Sequence, residues 1–164
     1  MTTKNISTSW TEYNSIEELS QVDKELVLAA REAAQNAYAP YSKFKVGAAV
    51  RLETGIIIHG ANIENAAFPS GICAERTALS FSASNFPSTK PIAIAVAAFN
   101  ENGLINDPVP PCGNCRQVIA EEEFRNKKNI RLILSGGTKI QIIEKGGDLL
   151  PLQFNRYNLM INPL

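Results

Sequence analysis

Three cysteines and one glutamate are the residues of this chain best suited to chemistry. The cysteines follow the spacing C-x38-C-x2-C, as Cys73 and then Cys112-Gly113-Asn114-Cys115. An odd count with one close pair points, in a reducing compartment, to metal binding or catalysis before a disulfide framework. The close pair can chelate from a single turn, and Cys73 closes the site through the fold. Zinc in a catalytic site takes three protein ligands and keeps its fourth position for water, whereas a structural site takes four. The single histidine, His59, would make the site structural if it joined the thiols. A redox pair made of Cys112 and Cys115 would leave Cys73 unused.

Glu75 lies two residues after Cys73, close enough to reach a metal's water without being a ligand. Three thiolates around one dication carry a net charge of −1, which opposes hydroxide formation. Two helix starts would offset that charge, as would Arg76, which directly follows Glu75.

Positioning these residues requires particular elements. Leu26, Ala29, Ala30, Ala33, Ala34 and Ala37 recur at helical spacing from Asp23 until Pro40 ends the run, which predicts about four helical turns. Lys43 to Leu52 alternates as a strand, Glu53-Thr54-Gly55 supplies a turn, and Ile56 to Ala61 completes a hairpin. The loop NIENAAFPSG then delivers Cys73 to the start of a helix. Ile92 to Phe99 reads as a strand buried on both faces, and a polar loop leads to a second helix beginning near Cys112. Arg131 to Leu134 and Lys139 to Ile143 add two strands around Gly136-Gly137. The expectation is an α/β layered domain with a mixed sheet of five strands. The helices flanking the central strand would bring Cys73 and Cys112 together.

Composition narrows the class of function. A chain of 164 residues suits one domain at roughly 100–200 residues each. With 45% hydrophobic and 20% charged residues it is a folded, soluble composition, far from that of disordered chains. Lys+Arg and Asp+Glu both number 16, so there is no general attraction for a polyanion, and no nucleic-acid polymer is expected as partner. The longest apolar run, Ile92 to Phe99, is far below the ~20 residues of a membrane-spanning helix. The amino terminus lacks the charged start and apolar stretch of a signal peptide, so the expected compartment is the cytoplasm.

The segments AYAPYSKFKVGAA, GANIENAAFPSGICAERTA, PPCGNCRQV and LLPLQF, in that order from about Ala37 to Phe154, resemble the small, all-cysteine cytidine deaminases. Zinc deaminases pair a water-activating Zn²⁺ with a glutamate that is not a ligand. The resemblance implies a three-layer α/β/α cytidine deaminase-like fold with a mixed five-stranded sheet. It divides the chain into an N-terminal extension (1–22), a zinc-dependent deaminase domain (23–154) and a C-terminal tail (155–164). It assigns Cys73, Cys112 and Cys115 to zinc, Glu75 to proton transfer, and Arg76 to hydrogen bonds with the thiolates. Asn62 and Glu64 match positions that bind ribose hydroxyls, Phe44 the aromatic packed on the substrate, and the Ala74 backbone N–H the group that holds the base carbonyl. Two positions depart from the pattern, Phe68 where many members have tyrosine and Pro110 where many have serine.

The implied activity is hydrolytic deamination of cytidine and deoxycytidine to uridine and deoxyuridine, a step of pyrimidine salvage. The implied assembly is a homotetramer in which Phe154 reaches a neighbouring subunit's active site. Two other readings compete. A deaminase of another aminopyrimidine, such as blasticidin S, shares the zinc signatures, but Glu64 favours a ribose. A noncatalytic zinc-stabilised module would need a filled fourth position and would give Glu75 no special role.

Overall fold

The computed structural model describes residues 1–159. Helix α1 (Gln21–Ala33) starts at Ser20, whose hydroxyl accepts from the Asp23 N–H at 3.2 Å. It is shorter than the apolar spacing predicts, because the chain tightens into a 3₁₀ turn, Ala34–Asn36, ahead of Pro40. Strands β2 (Lys45–Leu52) and β3 (Ile57–Ala61) form the expected hairpin. Helix α2 (Ala74–Asn85) leads to β4 (Pro91–Asn100), and α3 (Gly113–Asn126) leads to β6 (Arg131–Ser135) and β7 (Ile140–Ile143).

The sheet has seven strands, not the five expected. The additions are β1 (Thr11–Tyr13), which pairs antiparallel with β7 at the sheet edge, and β5 (Gly103–Leu104), which pairs with β4. Each is too short to carry an alternating pattern of its own. The order is β1-β7-β6-β4-β2-β3, and β4 and β6 form the parallel pair. Tyr13 of β1, with Ile16 and Leu19 after it, packs against the α1 side of the core, so this part of the expected extension lies on the sheet.

Three layers result. Ala49, Ala93, Ala95 and Ala97 face α1, whereas Val50, Leu52, Ile94 and Val96 face the side that holds α2 and α3. Alternation along β2 and β4 sends successive side chains to opposite faces, and both faces are covered by helices. Small residues allow the helices to come close. A Cβ on Gly60 of β3 would lie 2.4 Å from the Ala74 carbonyl oxygen and 2.6 Å from the Ala78 nitrogen, so the first turn of α2 rests directly on β3. That contact fixes the helix end that carries Glu75. Of the expected C-terminal tail, Arg156–Leu159 forms a 3₁₀ turn and Tyr157 packs edge-on against Phe124, with ring centroids 5.3 Å apart. Residues 160–164 lie outside the described residues.

Candidate active site

The two cysteine-bearing helices present matching ends. Cys73 is the cap residue of α2 and Cys112 that of α3, and each carbonyl accepts the first helical hydrogen bond, from Thr77 N–H and Arg116 N–H at 3.0 Å each. The Cys73 sulfur does not cap its own helix, which leaves it directed elsewhere. The Cys73 and Cys112 Sγ atoms are 3.8 Å apart, and those of Cys112 and Cys115 are 3.5 Å apart. All three sulfurs lie within 4.8 Å of one another.

This geometry fits zinc. With Zn–S near 2.3 Å, a tetrahedral arrangement places its sulfurs about 3.8 Å apart. Three soft thiolates are also the donor type that selects zinc among the common divalent metals. His59 faces solvent on β3 and is not part of the cluster, so the thiols form a three-ligand set with one position left for water or substrate.

Glu75, only 4% exposed, lines the cavity beside Cys73 and Cys112. Burial pushes its carboxyl above the ordinary range, partly offset by its own N–H, the Cys115 thiol and the Arg76 charge. Burial raises the Cys73 thiol as well, and raises Cys115 further with help from the Glu75 charge. At Cys112, burial is outweighed by hydrogen bonds from the Cys115 N–H and the neighbouring thiols, and its pKa is lowered. A dication at the sulfurs favours the thiolate form of all three.

Cys73, Glu75 and Cys112 form one end of a cavity of about 650 Å³. Phe44, Asn62 and Glu64 line the same cavity, with Tyr41, Phe68 and Pro110. Tyr41 and Phe68 meet edge-to-face, centroids 5.8 Å apart. The loop between β3 and α2 is closed by reciprocal backbone bonds between Ile63 and Ile72, 3.0 Å each, which bring Glu64 and Cys73 to one wall.

Asn62 and Glu64 hold the wall as well as line it. The Asn62 Oδ1 accepts from the Val46 N–H at 2.7 Å, and its Nδ2 donates to the Phe44 carbonyl at 3.0 Å. The Glu64 carboxylate accepts from the Tyr41 N–H at 2.9 Å, the Ser42 N–H at 3.3 Å and the Ser42 hydroxyl. The Ser42 hydroxyl does most to hold Glu64 below the usual carboxylate range, with the two N–H groups and the nearby Lys43 charge adding to it. A carboxylate has about four lone-pair sites, so acceptor capacity remains for a ligand hydroxyl.

The other expected site residues are not among those lining this cavity. Ala74 is buried as the first residue of α2, where its N–H has no intrahelical acceptor. Arg76 makes no hydrogen bond to a thiol among the described residues, and its charge reaches Glu75 instead. Phe154 is 59% exposed and does not line its own chain's cavity.

Sequence reasoning did not find Arg116 and Gln117. Arg116 Nε donates to the Pro111 carbonyl at 2.9 Å and Nη1 to the Leu149 carbonyl at 3.1 Å, while Gln117 Nε2 donates to the Phe154 carbonyl at 2.8 Å. Their position directly after Cys115 was the only local signal.

Comparison with known proteins bears on the family and the fold. Residues 20–129 match the cytidine and deoxycytidylate deaminase zinc-binding region. A cytidine deaminase of Halalkalibacterium halodurans is 50% identical over 96 residues, covering 58% of this chain and 68% of that relative. The crystal structure of cytidine deaminase from Burkholderia pseudomallei superposes with a TM-score of 0.67 at 41% identity, over 79% of this chain and 97% of the other. That from Mycobacterium tuberculosis superposes with a TM-score of 0.62 at 29% identity, over 80% of this chain and 95% of the other.

Proposed function

The chain belongs to the cytidine and deoxycytidylate deaminase family, and we propose that it hydrolyses cytidine and deoxycytidine to uridine and deoxyuridine with release of ammonia. The observation that carries the choice of a nucleoside is the lining of the cavity. It contains Glu64 and Glu75 but no lysine or arginine among the described residues. A nucleoside monophosphate would bring about two negative charges into a wall that already holds two carboxylates and two thiols. Lys43 and Arg76 are nearby cations outside the lining, and their charges are already felt by Glu64 and Glu75.

Cys73, Cys112 and Cys115 hold zinc, which when bound supplies a Lewis acid that makes water a nucleophile near neutral pH. Glu75 takes the proton from the attacking water, delivers it to N3 of the pyrimidine so that C4 becomes electrophilic, and later protonates the departing amine. One carboxyl group accepts and returns each proton, so water is consumed, the C4–N bond breaks and the glutamate ends as it began. The Ala74 N–H, without a helical acceptor, is the donor for the base carbonyl. Asn62 and Glu64 orient the ribose hydroxyls, and Phe44 forms an apolar surface against the base. The charge of Arg76 moderates the net negative site through Glu75.

The exposure of Phe154 and the open mouth at Tyr41 and Phe68 support a shared active site in a homotetramer, with Phe154 closing a neighbour's cavity. No helix among the described residues is long and apolar enough to cross a membrane. Ultraviolet absorbance followed with cytidine, deoxycytidine, cytosine and cytidine monophosphate in parallel tests the function. Turnover of the two nucleosides and much slower turnover of the nucleotide is the expected result. Preference for the nucleotide would overturn the nucleoside reading, and no turnover of any would favour a noncatalytic zinc module.

A further inference from the structure

The segment after β7 lies along α3 and is tied to it at separate heights. Toward the carboxyl end of the helix, the buried Glu123 accepts from the Gly147 N–H at 3.1 Å and from the Ile130 N–H at 2.8 Å. At the cysteine end, Arg116 holds the Leu149 carbonyl and Gln117 holds the Phe154 carbonyl. The same Arg116 guanidinium holds the Pro111 carbonyl, one residue before Cys112. It therefore spans two pieces of backbone, the entry to the thiol turn and the segment Leu149–Phe154.

We propose that Arg116 is a positioning residue that couples the conformation of the Cys112–Cys115 turn to the carboxy-terminal segment, so that metal occupancy and the order of residues 149–154 are linked. The proposal rests on the reading that the cysteines hold zinc. A metal at Cys112 and Cys115 fixes the turn, and with it the Pro111 carbonyl and the helix start from which Arg116 projects. Both carbonyls then meet a rigid fork of N–H donors. Without the metal, the turn relaxes against like-charged or mutually donating sulfurs, and the fork can no longer satisfy both acceptors. An ammonium can approach one of the two carbonyls but lacks the planar spread that reaches both. Linkage is reciprocal, so an ordered segment also retards metal loss. The Ile130 tie is made by Glu123, more than one helical turn away, and should not respond.

Hydrogen exchange followed by mass spectrometry, on zinc-loaded and chelator-stripped full-length protein, tests this with the peptide containing Leu150 to Phe154. The peptide containing Ile130 is the internal control. In the wild type, stripping should speed exchange of the Leu150 N–H, which donates to the Gly147 carbonyl at 3.0 Å, about tenfold and leave the second peptide unchanged. In Arg116→Ala the first peptide should exchange fast with or without zinc, and zinc should pass to a chelator about tenfold faster than from the wild type. Arg116→Lys should fall between the two, and Gln117→Ala should loosen only the Phe154 end. If Arg116→Ala does not fold, Arg116→Lys carries the test alone. Exchange of the wild-type segment that is indifferent to zinc, or variants that match the wild type, would overturn the proposal. Metal content measured on the same samples separates the failures: absence of stoichiometric zinc in the untreated protein defeats the zinc reading itself, whereas full zinc without coupling defeats only this inference.

Discussion

Replacing Asn62 separates its work on the backbone from its contact with substrate. In Asn62→Ala the Val46 N–H and the Phe44 carbonyl both lose the amide that bridges them. Both residues are half-buried, so water can replace part of each bond, and a loss of about 1 kcal/mol per bond is appropriate. The expected destabilisation is therefore about 2 kcal/mol, which for a domain of this size lowers Tm by roughly 4–8 °C. Asn62→Asp provides the control: one oxygen still accepts from Val46, but the other now faces the Phe44 carbonyl, acceptor against acceptor. It should be less stable than the wild type although it is nearly the same size. In both variants the Phe44 carbonyl loses its amide donor, so KM for cytidine should rise while zinc content stays full. Urea unfolding and steady-state kinetics on the same preparations are the assays. An aspartate variant that unfolds like the wild type would refute the bridging role, and an unchanged KM in both would remove Asn62 from the substrate wall.

Other residues give independent outcomes. Gly60→Ala forces a Cβ to within 2.4 Å of the Ala74 carbonyl, so it should cost at least about 1–3 kcal/mol in urea unfolding and lower kcat by shifting Glu75. Glu123→Gln turns an N–H donor toward one of two buried N–H groups and should cost about 1–3 kcal/mol in the same assay. Burial raises the folded pKa of Glu123 above its ordinary 4.5, despite the two N–H bonds, so the folded state holds more protons than the unfolded one in the window above that value. The wild type's stability from this site is thus fullest below about pH 4.5 and declines as pH rises through the folded pKa. The deficit of Glu123→Gln should shrink from pH 5 to pH 8 (~3 pH units, ample for a raised carboxyl), and a deficit that grows would contradict the sign.

The site was legible because its chemistry is local. Cys73 with Glu75, and Cys112 with Cys115, are neighbours in sequence, and helix starts at both places follow from turn residues ahead of apolar periodicity. The main strands were legible for the same reason, since β2 and β4 alternate or run apolar over eight residues or more. What escaped notice depends on pairing across the fold. Thr11–Tyr13 is polar and three residues long, and only the open edge of β7 makes it a strand. Arg116 reads as an ordinary helix charge until Leu149, 33 residues away, arrives beside it. Glu64 was singled out from its motif and lines the cavity, but nothing local indicated that Ser42 and Tyr41 would bind its carboxylate.

The central claim is that a metal held by three thiols is not enough and that Glu75 moves the proton. Glu75→Gln keeps size and hydrogen-bonding capacity while removing the exchangeable carboxyl proton. Zinc content and the rate of uridine formation from cytidine, measured on one preparation of this variant, test the claim most directly. Full zinc with turnover reduced at least about 10²–10⁴-fold is the expected result, that being the usual worth of a positioned acid–base group. Full zinc with a rate close to that of the wild type would contradict it.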